Sequence, residues 1–238
     1  MKWLIRAVVA LGLIAGTVVI YRIMASPTVI NINTDNLIAK YNHPSLDTTI
    51  ILIHFGIKTY AIPRNYLIHF ALPDSPGKNG GFDLEVLLPN LLPRTEGIAD
   101  QFVKAGPMSG LGNQVSVSVR ELSEGPLSSK ELFAPDRQLD NFLKKAGKSR
   151  NDSRGVGGGY RLYNVSDTRD VFTKDTPDGL LVFSCGKMEV APVAICRVEL
   201  PAETRHGNIT ISFDRKYLHQ SVEIVSKIQM LLETFVRK

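Results

Sequence analysis

The feature that most constrains this chain is its N-terminal run. Between positions 7 and 21 every residue is apolar or small apart from Thr17 and Tyr21, the run contains no acid, Lys2 and Arg6 precede it, and Arg22 follows. Cations ahead of an apolar stretch are the charge arrangement of an export signal whose N-terminus stays in the cytoplasm. An apolar core of about 15 residues is short of the roughly 20 that span a bilayer. Trp3, Leu4 and Ile5 on one side and residues 23–25 on the other extend it, with Arg6 and Arg22 reaching back to the head groups. An uncleaved anchor then competes with a cleaved signal. Ile23-Met24-Ala25 offers a small residue at only one of the two positions a signal peptidase reads, which favours the anchor. The expectation is a single-pass protein of a bacterial inner membrane, inserted through residues 3–25, with the bulk of the chain in the periplasm.

Charge supports a protein partner over a nucleic acid. The formal charge is +5, but once Lys2, Arg6 and Arg22 are set aside, 25 cations face 23 acids. A phosphate backbone needs clustered cation excess, which a near-balanced surface does not supply. A 238-residue chain, 44% hydrophobic, can bury one core without a metal or several disulfides. The predicted division is a transmembrane anchor or signal segment over residues 1–25, a tether over 26–47, and one periplasmic α+β domain over 48–238.

Within that domain the pattern predicts a mostly antiparallel sheet with a long C-terminal helix packed on one face. Two strands, 48–54 and 58–62, flank a turn at Phe55-Gly56-Ile57, and Pro63, which cannot donate to a ladder, ends the second. Residues 66–72 and 82–88 read as further strands around an exposed loop at 74–81, and a short helix is expected over 95–103, capped by Thr95. Val115, Val117 and Val119 alternate with Ser116, Ser118 and Arg120 as a half-buried strand does. Residues 135–146 read as a helix ended by Gly147, residues 148–159 as a basic, glycine-rich loop and hinge, and 160–165, 180–185, 193–200 and 208–213 as strands. From Arg215 to Val236, Leu218, Val222, Val225, Ile228, Leu232 and Phe235 recur at helical spacing behind Asp214 as N-cap, predicting a helix about 30 Å long. Cys185 and Cys196 lie in two runs that a hairpin would bring opposite each other. In an oxidising compartment they would form a disulfide, the alternative being two buried thiols.

Catalytic signatures fail on stated grounds, so no catalytic residue, cofactor or metal is expected. Gly147-Lys148-Ser149 imitates the end of a phosphate-binding loop, but Phe142 stands where the first glycine belongs and the segment follows a helix. Ser184 and Lys187 match a Ser-x-x-Lys pattern that works only on a helix. The five histidines are scattered; only His54 and His69, in neighbouring predicted strands, could share a site. What remains suits a binder. Arg64, Asn65 and Tyr66 occupy a break between strands, where a scaffold presents a loop, unless Arg64 pairs with an acid such as Asp47 and Tyr66 fills the core. Lys148, Arg150 and Arg154 stand beside glycines as an adaptable surface for an acidic partner would, or as a plain solvated loop.

Four segments together resemble a known group: Ile62-Pro63-Arg64-Asn65-Tyr66-Leu67; Leu88-Pro89 through Arg94-Thr95-Glu96 and Phe102; the Cys185/Cys196 pair; and Ile211-Ser212-Phe213 through Lys216-Tyr217-Leu218 to Phe235. They are similar to exported proteobacterial proteins from loci of toxin-delivering (type VI-like) secretion systems. The resemblance implies a periplasmic immunity protein, a non-enzymatic domain that binds a toxin effector, with Arg64, Asn65 and Tyr66 as the positions that carry over. Ser221 departs from it, standing where an aromatic residue is expected on the outer helix face. The resulting expectation is tight toxin binding over about 1,600 Å² of total interface, through loops at one sheet edge. A membrane-anchored assembly factor of an envelope complex is the competing expectation.

Overall fold

The computed structural model describes residues 44–70, 81–102, 110–121, 126–187, 194–202, 204 and 207–237. The expected membrane segment, nearly all of the tether and the 74–80 loop lie outside the described residues. Among the described residues, no helix is long and apolar enough to cross a membrane.

A hairpin of β1 (Ile50–Phe55) and β2 (Lys58–Pro63) stands alone as a two-stranded sheet. Its turn contains Gly56 at φ +59°, where a side chain would be strained and would strike the Thr204 methyl. The main sheet has nine strands, all neighbours antiparallel: β3 (Leu67–Phe70), β4 (Gly81–Leu87), β5 (Gln114–Glu121), then β11 (Gly207–Asp214), β10 (Ile195–Pro201), β9 (Gly179–Gly186), β8 (Arg169–Thr176), β7 (Tyr160–Asn164) and β6 (Arg154–Val156). After β5 the chain therefore crosses to the far edge and returns strand by strand until β11 pairs with β5. Two helices lie on that crossing, α1 (Ser129–Leu132) and α2 (Pro135–Lys145).

Side chains alternate across a strand, so each strand offers one set to each face. On one face Val115, Val117 and Val119 meet Phe82, Leu84, Val86, Val198, Ile211, Phe213, Phe183 and the cystine in a single core. The α-helix α3 (Ser221–Phe235) covers this core with Ile224, Val225, Ile228, Leu232 and Phe235, and the β1–β2 hairpin adds Ile53, Phe55, Tyr60 and Ile62. Burying the five helix side chains contributes on the order of 10 kcal/mol before entropy is charged. A smaller cluster on the opposite face joins Leu139 and Leu143 of α2 to Tyr163, Val171 and Val182. Gly147 at φ +63° ends α2 as expected, with the Lys148 N–H donating to the Leu143 carbonyl.

Several expectations change in detail. The terminal helix begins as a 3₁₀ segment, Arg215–Gln220, and is α-helical only from Ser221, so the α-helix is about 22 Å long instead of 30. The physical reason is Tyr160, whose hydroxyl lies 2.8 Å from the Leu218 carbonyl, which also accepts the Ser221 N–H three residues on. Asp214 does cap it, accepting from the Lys216 N–H. The helix expected near Thr95 is likewise 3₁₀ (Glu96–Gln101); none of its residues is buried, and Thr95 makes no capping bond. The basic loop over 148–159 contains edge strand β6, paired to β7, with Val156 packed against the core. It is part of the sheet and not a hinge.

Ser221 corrects the reading of the helix faces. It is 0% exposed and bonded to the Tyr160 hydroxyl at 2.9 Å, so position 221 points inward. Ser221→Phe should therefore lower stability by about 2 to 3 kcal/mol by overpacking against Tyr160. Equilibrium urea unfolding checks this; a change below about 0.5 kcal/mol would mean that the position has room.

Candidate functional site

Arg64, Asn65 and Tyr66 form one 3₁₀ turn between β2 and β3. Arg64 is 2% exposed and donates to the Leu67 carbonyl at 2.6 Å; Asn65 is 6% exposed, donates to the Arg94 carbonyl at 3.0 Å and receives the Arg94 N–H at 3.1 Å. Tyr66 is half-buried edge-on to Phe235, ring centroids 5.1 Å apart, and desolvation pushes its phenol above the ordinary range. Arg64 and Asn65 thus hold a corner together and present little side chain to a partner, because both are buried and each donates to a backbone carbonyl. Asp47, the suggested partner of Arg64, is chiefly held below the carboxylate range by the Thr49 hydroxyl and N–H, with Arg64 a lesser influence.

The basic loop is organised by Arg150. Its guanidinium reaches Asp136 at 2.7 Å and Asp140 at 2.9 Å, which raises its pKa, and tacks the loop onto α2. These groups are exposed, so the pair contributes little stability. Lys148 and Arg154 are exposed, the latter on β6. Cys185 and Cys196 sit directly opposite each other on β9 and β10, are bonded, and are buried in the main core. His54 lies in the two-stranded sheet, its Nδ1 2.9 Å from the Thr59 hydroxyl, and His69 lies in β3 of the main sheet. Among the described residues no three His, Cys, Asp or Glu side chains converge as metal ligands.

A further polar surface lies outside the sequence candidates. It is the second face of the main sheet, over β4, β5, β11 and β10. The register aligns Glu85, Ser116, Ser212, Arg197 and Ser184 in one row, and Asp83, Ser118, Thr210 and Glu199 in the next. In these two rows the middle strands carry short hydroxyl side chains, flanked by longer charged ones, with Gln114 and Arg120 at the two ends of the same face of β5. From β4 to β10 is three inter-strand spacings, about 14 Å. One wall is α2, whose Gln138 amide donates to the Glu199 carbonyl at 2.9 Å. The other is the segment carrying Arg94, which contacts Glu85 at 3.2 Å, donates to the Ala99 carbonyl at 3.1 Å and lies 4.2 Å over the Phe102 ring. Burial pushes the Glu85 carboxyl up, against the pull of Arg94. Beside α2, over β8, β9 and β10, lies a cleft of about 430 Å³ lined by Phe142, Arg169, Val182, Ile195, Arg197 and Glu199, among others.

Charges on this face are unevenly matched. Arg120 neutralises Asp83 and Arg94 neutralises Glu85. Arg169 and Arg197 have no ion-pair partner among the described residues. The alternation of Ser and Thr with valine and isoleucine on β5 and β11 was the available signal; only the register shows that the hydroxyls are neighbours.

No family model matches the chain, and no curated protein matches it in sequence. Its fold is similar to a solved structure, an immunity protein of the Stenotrophomonas maltophilia type IV secretion system, with a TM-score of 0.55, 14% identity, and coverage of 79% of this chain and 94% of that one. The secretion system in that case is type IV, where the sequence resemblance pointed to type VI-like loci. At this identity the likeness is one of fold alone.

Proposed function

We propose that this chain is an immunity protein, held in the inner membrane by residues 3–25 with its folded domain in the periplasm, that neutralises a secreted antibacterial toxin by binding it. The observation that carries this reading is the fold shared with an immunity protein over 79% of the chain. Two features support it. The cystine suits an oxidising compartment, and the recessed polar face with unmatched arginines offers a surface for a protein and no arrangement for bond-making chemistry. Inhibition by occupancy needs no catalytic group.

The test is survival. Cells that send the product of the adjacent gene to their own periplasm should die without the full chain and grow with it. Deleting residues 1–25 should abolish protection, and replacing them with a cleavable signal should retain most of it. No protection by the full chain removes the proposal; loss of protection in the cleavable form shifts it to a scaffold whose position matters.

A further inference from the structure

The immunity reading says that the protein binds, not where or what. We infer that the trough over β4, β5, β11 and β10, with its cleft beside α2, is the docking surface, and that its occupant is a protruding acidic segment of a protein partner.

Three observations converge. The first is exclusion: the other sheet face is filled by α3 and the β1–β2 hairpin, and the corner at Arg64 and Asn65 is closed by its own hydrogen bonds. The second is shape. The floor is about 14 Å wide between two walls, close to the 10–12 Å breadth of a helix with its side chains. Seven residues of β10 make it about 24 Å long, roughly 300 Å² in all, against about 800 Å² that each side of a stable complex buries. A flat partner resting on the floor would fall short, whereas a segment that enters and touches both walls would not. The short Ser116, Ser118, Thr210 and Ser212 side chains leave that depth free, and their hydroxyls can donate or accept.

The third is charge. The acids of the floor, Asp83 and Glu85, are already paired, which leaves Glu199 as the unpaired acid of the two rows. An entering carboxylate finds Arg169 and Arg197 in the cleft, next to Phe142, Val182 and the part-exposed Ile195, which can take an adjoining apolar side chain. The surface thus selects acidic over basic segments by complementarity, which also steers encounter. This inference rests on the immunity reading, and it moves the contact from the edge loops to the sheet face.

The probe is the periplasm-directed product of the adjacent gene, with the full chain in detergent for binding and in cells for survival. Arg169→Glu with Arg197→Glu should weaken binding at least 100-fold and abolish protection. Ser116→Trp, which raises the floor, should do the same. Met230→Glu, at a position 59% exposed on α3, should change neither. Thermal unfolding of each variant separates lost contact from lost fold, and Arg197→Lys should keep most binding. If the full chain protects and the charge-reversed chain protects equally, the docking surface is wrong and the immunity reading stands. If the full chain binds no such product, both fall.

Discussion

Removing the sulfur bridge, by Cys185→Ala with Cys196→Ala, should lower stability by about 3 kcal/mol. The two residues are eleven positions apart in sequence, and opening a loop of that size restores about this much chain entropy to the unfolded state. Both side chains are 0% exposed, so the alanines also leave unfilled space in the core that holds Phe183, Val198 and Phe213. For a domain of this size the melting temperature should fall by about 6–12 °C. Scanning calorimetry of oxidised wild type against the double variant measures it. A shift below about 2 °C would mean that the β9–β10 pairing is held without the bond, and that the cystine says little about compartment.

Arg215→Met should have an effect of similar size for an electrostatic reason. Asp170 is 5% exposed, and Arg215 bonds it at 2.8 Å, donates to the Gly186 carbonyl at 2.6 Å, and lies 4.9 Å over the Phe172 ring. Without Arg215 the carboxylate keeps only Lys187, at 3.9 Å. A buried charge robbed of its main partner costs about 3–5 kcal/mol; partial compensation by Lys187 places the expected loss near 3. Adding Asp170→Asn should restore about half of it, since no uncompensated carboxylate then remains. Urea unfolding of the two singles and the double reads the coupling. Additive losses would show that the pair does not act as a unit.

How much of this could be read from sequence depended on whether the signal was local. Val115, Val117 and Val119 announce a strand because alternation needs only neighbours, and Gly147 announces a helix end because its conformation is its own. The cystine followed from two short runs and the turn between them. By contrast β8, Arg169–Thr176, mixes charged and apolar residues without a clean period, and its assignment comes from pairing with both β7 and β9. The capping box at Ser128 and Glu131 is local, but it introduces only one helical turn. Ser221 reads as an outer position from the resemblance, and Tyr160, from a distant strand, makes it an inner one. The site was the least legible part. Ser116 and Ser212 look like the polar half of two separate strands, and nothing in either stretch tells that they face one another. Arg64 and Asn65 attracted notice as polar residues at a strand break, yet that polarity serves backbone carbonyls at 2.6 and 3.0 Å.

The pairing of β5 with β11 also fixes when a binding surface comes into being. Strands β3 to β5 form one local block and β6 to β11 another, and contacts close along the chain assemble before those that must close a long loop. Half of the floor belongs to each block, while the cleft at Arg169 and Arg197 lies wholly beside the second, so the proposed surface is complete only once β5 and β11 have paired. On the proposed reading, a molecule whose two blocks have not met presents only part of the surface, however well formed each block is.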